Sequence, residues 1–207
     1  MYKIIIFFFL ILYVKLYPLT NYILELTNEF GGKTVVLFPV EGDEEVKDHI
    51  VKMIEYNDSN NIVRKRETYF DEIHQQKNIY YKGVMYFDEN KKRIKSEIYL
   101  HPKASKIKGY YLQTTYYIDG NIYNTSKIEF YFIEDFIKLQ GITKAINYYS
   151  NNIKYMEDTY YSDEFFKKNG YNKTITRSIG AKNRIQFYFS NDVMLYSKML
   201  YKDDSTN

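Results

Sequence analysis

The chain has no cysteine, no tryptophan and only three prolines. Without thiols there is no disulfide, no thiolate metal site, no cysteine nucleophile and no cysteine for lipid attachment. Few prolines leave long stretches able to donate backbone hydrogen bonds. Pro39 and Pro102 fall where strands are expected to end, and a missing N–H is tolerated there. Charge of one sign is also lacking. The 29 Lys and Arg against 26 Asp and Glu leave +3, without the basic excess of a nucleic-acid-binding domain, so no nucleic-acid partner is expected. The local runs Arg64-Lys65-Arg66 and Lys91-Lys92-Arg93 lie in or just after turns and read as solvated surface.

What the chain does have is tyrosine and phenylalanine, 25 and 14 of 207 residues. With 45% hydrophobic residues it has the means to bury a core and does not read as disordered. Its length suits one domain plus a short extra segment. Ile4 to Val14 is an unbroken apolar run after Lys3, the pattern of a signal sequence and shorter than a bilayer span. Lys15, Pro18 and Asn21 interrupt any extension to Leu26, and no small-x-small cleavage site follows. Residues 1–26 therefore read as a cleaved signal peptide, an uncleaved anchor holding the protein to the membrane through residues 4–26, or a buried first element. The first two place the body outside the cytoplasm, periplasmic, secreted or anchored.

The body, residues 27–201, repeats. Tyr56, Tyr86, Tyr117, Tyr149 and Tyr188 each precede a polar turn and an aliphatic residue (Ile62, Ile94, Ile122, Ile153, Val193). A turn former stands upstream of each: Asp48, Asn78, Gly109, Gly141 and Gly180. Thr, Val, Ile, Tyr and Phe dominate between the turns, and no long 3.6-residue stripe competes, so the segments read as strands. The expected fold is all-β: an antiparallel meander of about five repeated β-hairpins, as an open twisted sheet or an up-and-down barrel. Lys33–Pro39 adds a strand before it, Gly42–Glu45 a turn, and residues 202–207 a polar tail. The segment Tyr161–Ile179 reads as an insertion, either a short helix capped by Gly170 or a loop with an extra hairpin.

Period-2 alternation assigns faces. Val51, Met53 and Glu55; Tyr81, Gly83 and Met85; Leu112, Thr114 and Tyr116; Lys144, Ile146 and Tyr148; and Asn183, Ile185 and Phe187 form the expected core face. The five register tyrosines stand on the other face with Lys52, Ile54, Lys82, Val84, Gln113, Thr115, Ala145, Asn147, Arg184 and Gln186. That face is the expected binding stripe, because tyrosine offers large contact area with a polar tip.

The units Gly109…Tyr116-Tyr117-Ile118-Asp119-Gly120-Asn121-Ile122 and Val84-Met85-Tyr86-Phe87-Asp88-Glu89-Asn90, with its return Ile94-Lys95-Ser96-Glu97-Ile98-Tyr99, resemble the MORN-variant hairpin repeat of YwqK-type proteins. The resemblance spans about residues 48–201. It departs from that family in its longer period, and only Asp119-Gly120 keeps the turn glycine. The resemblance implies an elongated antiparallel sheet used for binding, with no catalytic residues to carry over.

The search for chemistry is negative. His49, His74 and His101 are isolated and lack ligand spacing. The pairs Glu134-Asp135, Glu157-Asp158 and Asp163-Glu164 and the run Asp43-Glu44-Glu45 read as solvated turns and strand ends. Gly31-Gly32-Lys33-Thr34 lacks the upstream glycine of a phosphate loop. The sequons at Asn57, Asn124 and Asn172 matter only in a glycosylating source. The expectation is a non-enzymatic exported or membrane-anchored protein with no cofactor and no metal, binding an envelope protein or glycan. The alternative is a β-barrel that carries a small hydrophobic ligand in its interior.

Overall fold

A computed structural model describes residues 21–25, 27–40, 45, 48–179 and 183–201. The apolar run 4–14, the turn at 42–44, Gly180 and the tail 202–207 lie outside the described residues. Strand order follows the chain from β1 to β13 without a crossover. Every neighbouring pair whose register is resolved is antiparallel. β1 stands at one end of the order and β13 at the other, so the sheet is an open meander and not a barrel. The chain divides into two compact units, 1–84 and 85–207.

The first unit holds β1 (Asn21–Glu25), β2 (Gly31–Leu37), β3 (Ile50–Asp58), β4 (Val63–Phe70), helix α1 (Glu72–Asn78) and the start of β5 (Tyr80–Phe87). Residues 21–25, placed by the sequence pattern in the N-terminal segment, thus form a strand paired with β2. The second unit continues with β6 (Arg93–Leu100), α2 (Pro102–Lys108), β7 (Tyr110–Ile118), β8 (Asn121–Phe132), α3 (Glu134–Gln140), β9 (Ile142–Ser150), β10 (Ile153–Tyr161), α4 (Asp163–Asn169), β11 (Lys173–Ile179), β12 (Asn183–Ser190) and β13 (Val193–Tyr201).

The repeat is a hairpin followed by a seven-residue helix. The sequence pattern offered only α4, as one of two readings of 161–179. Helices this short are below what propensity sustains alone; all four close on a left-handed residue, and all but α3 also have a side-chain cap at the N-terminus. Asp71 Oδ1 accepts from His74 N at 2.8 Å and Ser162 Oγ accepts from Phe165 N at 3.3 Å. Pro102 opens α2 at its first turn, where its missing N–H costs nothing. Each helix ends on a left-handed residue: Ile79, Gly109, Gly141 or Gly170, at φ of 65°, 81°, 75° and 79°. The segment 161–179 is therefore no insertion. It holds α4 and then β11, which starts the fifth hairpin, so Tyr188 stands on the return strand β12 and not on an outgoing one.

The helices lie against aromatic side chains at the strand ends. Phe70 stacks on His74 at 3.9 Å, Phe132 on Phe136 at 4.7 Å and Tyr161 on Phe165 at 4.3 Å. Successive repeats of the second unit are tied by Ile133 N donating to Gly109 O at 2.9 Å and Ser162 N donating to Gly141 O at 2.7 Å. A Cβ on Gly109 would lie 2.6 Å from the Phe136 ring, and one on Gly141 2.2 Å from the Phe165 ring. Each of these glycines is thus required both by its positive φ and by the aromatic of the next helix.

Candidate binding surface

Positive-φ residues give the reference for reading the faces: His49, Ile79, Gly109, Gly141 and Gly170. Seven positions on stand Tyr56, Tyr86, Tyr116, Tyr148 and Arg177. Strand register confirms this alignment. In the first unit Tyr56 lies opposite Lys65, Ile54 opposite Glu67 and Lys52 opposite Tyr69. In the second, Tyr116 lies opposite Lys95 and Lys127, Thr114 opposite Glu97 and Glu129, and Ile146 opposite Glu129 and Asp158.

A ladder of acids results, with Glu67 in the first unit and Glu97, Glu129 and Asp158 in the second. Each Glu has a lysine two residues before it and a tyrosine two residues after, the spacing that keeps all three on one face of a strand. Glu67 is paired with Lys82 at 2.7 Å and Lys65 at 3.2 Å, and Glu129 with Lys127 at 2.7 Å and Lys144 at 2.9 Å. Tyrosines complete the shell. Tyr69 donates to Glu67 at 2.8 Å, Tyr99 to Glu97 at 3.0 Å and Tyr131 to Glu129 at 2.7 Å. The lysine ammonium groups also lie over the rings, Lys95 at 3.7 Å from the Tyr86 centroid and Lys127 at 4.0 Å from that of Tyr116. Burial by itself would raise the Glu67 and Glu129 carboxyls. The hydrogen bonds and charges of the surrounding lysines and tyrosines outweigh it and hold both at about 2. These acids remain ionised at neutral pH and are matched by cations. Their chemistry is that of a stabilising lattice.

This register corrects the sequence assignment of faces. Tyr56 and Tyr86 lie on the acid face of their respective units, with hydroxyls 3.4 Å from Glu67 and 3.3 Å from Glu97. Tyr117, Tyr149 and Tyr188 lie on the opposite face. Tyr117 shares a hydrogen bond with Ser96 at 2.8 Å, Tyr149 is opposite Lys154, and Tyr188 is opposite Thr174 and Tyr196. The five do not form one stripe. Tyr117 and Tyr149 sit beside their hairpin turns. Tyr188 also precedes a hairpin turn, but on β12, which runs antiparallel to its neighbours, and it is stacked on Tyr196 at 4.3 Å and edge-on to Tyr171 at 4.9 Å. The expected core face fails in the same way: Val51, Met53 and Glu55 lie opposite the acid face, whereas Thr114, Tyr116, Ile146 and Tyr148 lie on it. Neither face is a dry core. Burial follows distance from the strand ends, so that Val84, Ile146, Glu129 and Asp158 are buried at 2–6% exposure together with the threonines 115 and 159 of the other face.

That other face, in the second unit, is polar, and its charges include the paired Lys154 and Glu157. Around Tyr117 and Tyr149 it carries Gln113, Thr115 and Asn147, and toward β12 Thr159, Thr174, Thr176 and Gln186. The Asn147 side-chain oxygen is buried and has no hydrogen-bond partner. Beside Thr176 is a cavity of about 230 Å³ lined by Lys154, Met156, Glu157, Ser178, Arg184 and Leu200 as well. The lysine-acid-tyrosine spacing was present in the sequence and would have revealed the ladder, since Lys65-x-Glu67-x-Tyr69, Lys95-x-Glu97-x-Tyr99 and Lys127-x-Glu129-x-Tyr131 recur.

Among the described residues no three His, Asp or Glu side chains converge as metal ligands, and no helix is long and apolar enough to cross a membrane. No protein-family model matches the chain, and comparison with curated proteins gives no significant match.

Proposed function

We propose that this protein is a non-enzymatic, exported or membrane-anchored β-repeat scaffold that binds a glycan of the cell envelope. The observation that carries the reading is the division of labour between faces in the second unit. Charges on the acid face are consumed by one another, while the opposite face presents amides, hydroxyls and tyrosine rings, with Arg93 over the Tyr117 ring and the mutually paired Lys154 and Glu157 beside Tyr149 and Asn147. Neutral amides and hydroxyls match sugar hydroxyls in both donor and acceptor capacity, and tyrosine adds an apolar ring beside a polar tip. Asn147 contributes a buried acceptor still lacking a donor. Repetition of one side-chain pattern suits an extended ligand better than chemistry concentrated in one cleft. The apolar run 4–14 would supply export or anchorage.

The test is sedimentation of the full chain with insoluble envelope polysaccharide stripped of protein. Binding is expected, and Asn147→Ala and Tyr149→Ala should each weaken it about tenfold, one good hydrogen bond or aromatic contact. Tyr86→Phe, on the acid face, should leave it unchanged. Binding only to the envelope protein fraction, or equal loss in all three variants, refutes the glycan reading.

A further inference from the structure

We infer that β13 is a self-recognition edge, through which two copies of this chain join their second units by antiparallel pairing centred on Ser197. Among the described residues β13 ends the strand order and pairs with β12 alone. Its nine residues contain no proline and a single charge, Lys198. The side chains are open to solvent on both sides: Val193 is 65% exposed, Met194 56%, Leu195 47%, Tyr196 51% and Met199 40%. Of the devices that guard edge strands, several charges, prolines and bulges, this strand carries one charge, Lys198, and one bulge at Leu195, the residue left over between the pairs Tyr188–Tyr196 and Phe189–Met194.

The occupant follows from symmetry and register. A two-fold axis perpendicular to the sheet keeps each face continuous across the joint, and it requires one residue to stand opposite its own copy. Ser197 is the midpoint of Val193–Tyr201, so the register centred there is the one that uses all nine residues. In that register Leu195 meets Met199 and Met194 meets Leu200, apolar against apolar. Lys198 meets Tyr196, so each copy's cation faces an aromatic ring, the pairing that lysines and tyrosines already make at Lys95–Tyr86 and Lys127–Tyr116. Moving the centre one residue toward the C-terminus places Lys198 against its own copy. Moving it one residue the other way sets Lys198 against Met194 and leaves two residues of each strand unpaired. A second copy of β13 is thus matched in length, apolar pattern and charge. The inference stands independently of what the polar face binds.

The chain's lack of cysteine makes the test direct. Ser197→Cys places two thiols opposite one another, at a Cα separation of roughly 4.5–5.5 Å, inside the range a disulfide spans. Val193→Cys places them about 27 Å apart at ~3.4 Å per residue. In the full-length protein under mild oxidation, Ser197→Cys should form covalent dimer at least tenfold faster than Val193→Cys. Adding Leu195→Lys to Ser197→Cys should slow it by at least as much, with the circular dichroism spectrum unchanged. Association through residues 4–14 would give no such dependence on position. Equal rates at 193 and 197, absence of covalent dimer at 197, or insensitivity to Leu195→Lys would each overturn the inference. So would association of β13 with a strand other than its own copy, since that separates the two thiols.

Discussion

The third and fourth hairpin–helix repeats, β7-β8-α3 and β9-β10-α4, have the same construction and differ in two features, the shell around the acid and the packing over the closing glycine. In the third, Glu129 is held by two lysines and a tyrosine. In the fourth, the equivalent Asp158 has Lys173 at 3.4 Å and the Tyr148 hydroxyl at 3.4 Å, while one carboxylate oxygen is buried without a partner. The cause is local. Met156 stands where the lysine of the other repeats stands, and aspartate is one methylene shorter than glutamate. The helix ends differ too. Gly141 and Gly170 share a left-handed conformation, but the Phe165 ring lies over Gly141, whereas nothing lies within 4 Å of a Cβ on Gly170. No helix follows α4 among the described residues, so the fourth cap has no successor to pack against it. In a chain of repeats, each copy's constraints come from its neighbour, and they relax where the neighbour changes type.

That contrast can be broken experimentally, beginning with the caps. Gly141→Ala adds αL strain and an overlap with Phe165 and should cost about 3 kcal/mol, measured by urea unfolding. Gly170→Ala meets only the strain and should cost about 1 kcal/mol. Equal losses would mean that the ring over Gly141 moves aside freely. Glu129→Gln, which strands Lys127 and Lys144, should cost about 2 kcal/mol, because both lysines are part-exposed and can turn toward water.

Acid sharpens the same point. Glu67 and Glu129 fall from an ordinary 4.5 to about 2 in the folded state. The unfolded chain therefore binds protons first as pH drops. The stability these groups contribute is complete above about pH 5, declines between roughly 4.5 and 2, and is gone below that. Unfolding midpoints at pH 6 and pH 3 should converge between wild type and Glu129→Gln; a constant gap would contradict the pairing. The smallest effect belongs to the fourth repeat. Met156→Lys should restore the second cation beside Asp158 and raise stability by about 0.5 kcal/mol. It should also draw down the Tyr148 phenol, which burial first and the Asp158 charge second push up to about 12. Ultraviolet titration reads that directly, and a Tyr148 transition left in place would show that lysine at 156 does not reach the acid.

Much of this architecture was legible beforehand, and the failures are specific. Strands, turns and their antiparallel order follow from β-branched and aromatic segments bounded by Asn, Asp and Gly. The turn residues Asp119-Gly120, Asn151-Asn152 and Asn191-Asp192 all take the paired positive φ of a tight hairpin. Helix α4 was visible, as one of two readings of its segment, through Gly170. Helices α1 to α3 were not, because Ile79 replaces glycine at one cap, Ile133 offers no side-chain cap, and Pro102 resembles a strand terminator. The binding stripe was misread for two reasons, one of them the return strand that carries Tyr188. Tyr116-Tyr117 and Tyr148-Tyr149 are adjacent pairs, and choosing the second member of each inverts the face of the whole strand. Anchoring on the left-handed residues, including His49 and Ile79, removes the ambiguity, but those two give no sign in sequence of their conformation.

The sequence by itself determined the local alternation of side chains, the turns and the recurring Lys-x-Glu-x-Tyr triplet, because these depend on residues close together in the chain. Only the tertiary structure decided which side of each strand faces which neighbour. It also decided which lysine on the next strand reaches each acid and which glycine lies beneath an aromatic ring. Those outcomes depend on register between strands, and register is set by helix caps and cross-strand contacts that no single segment contains.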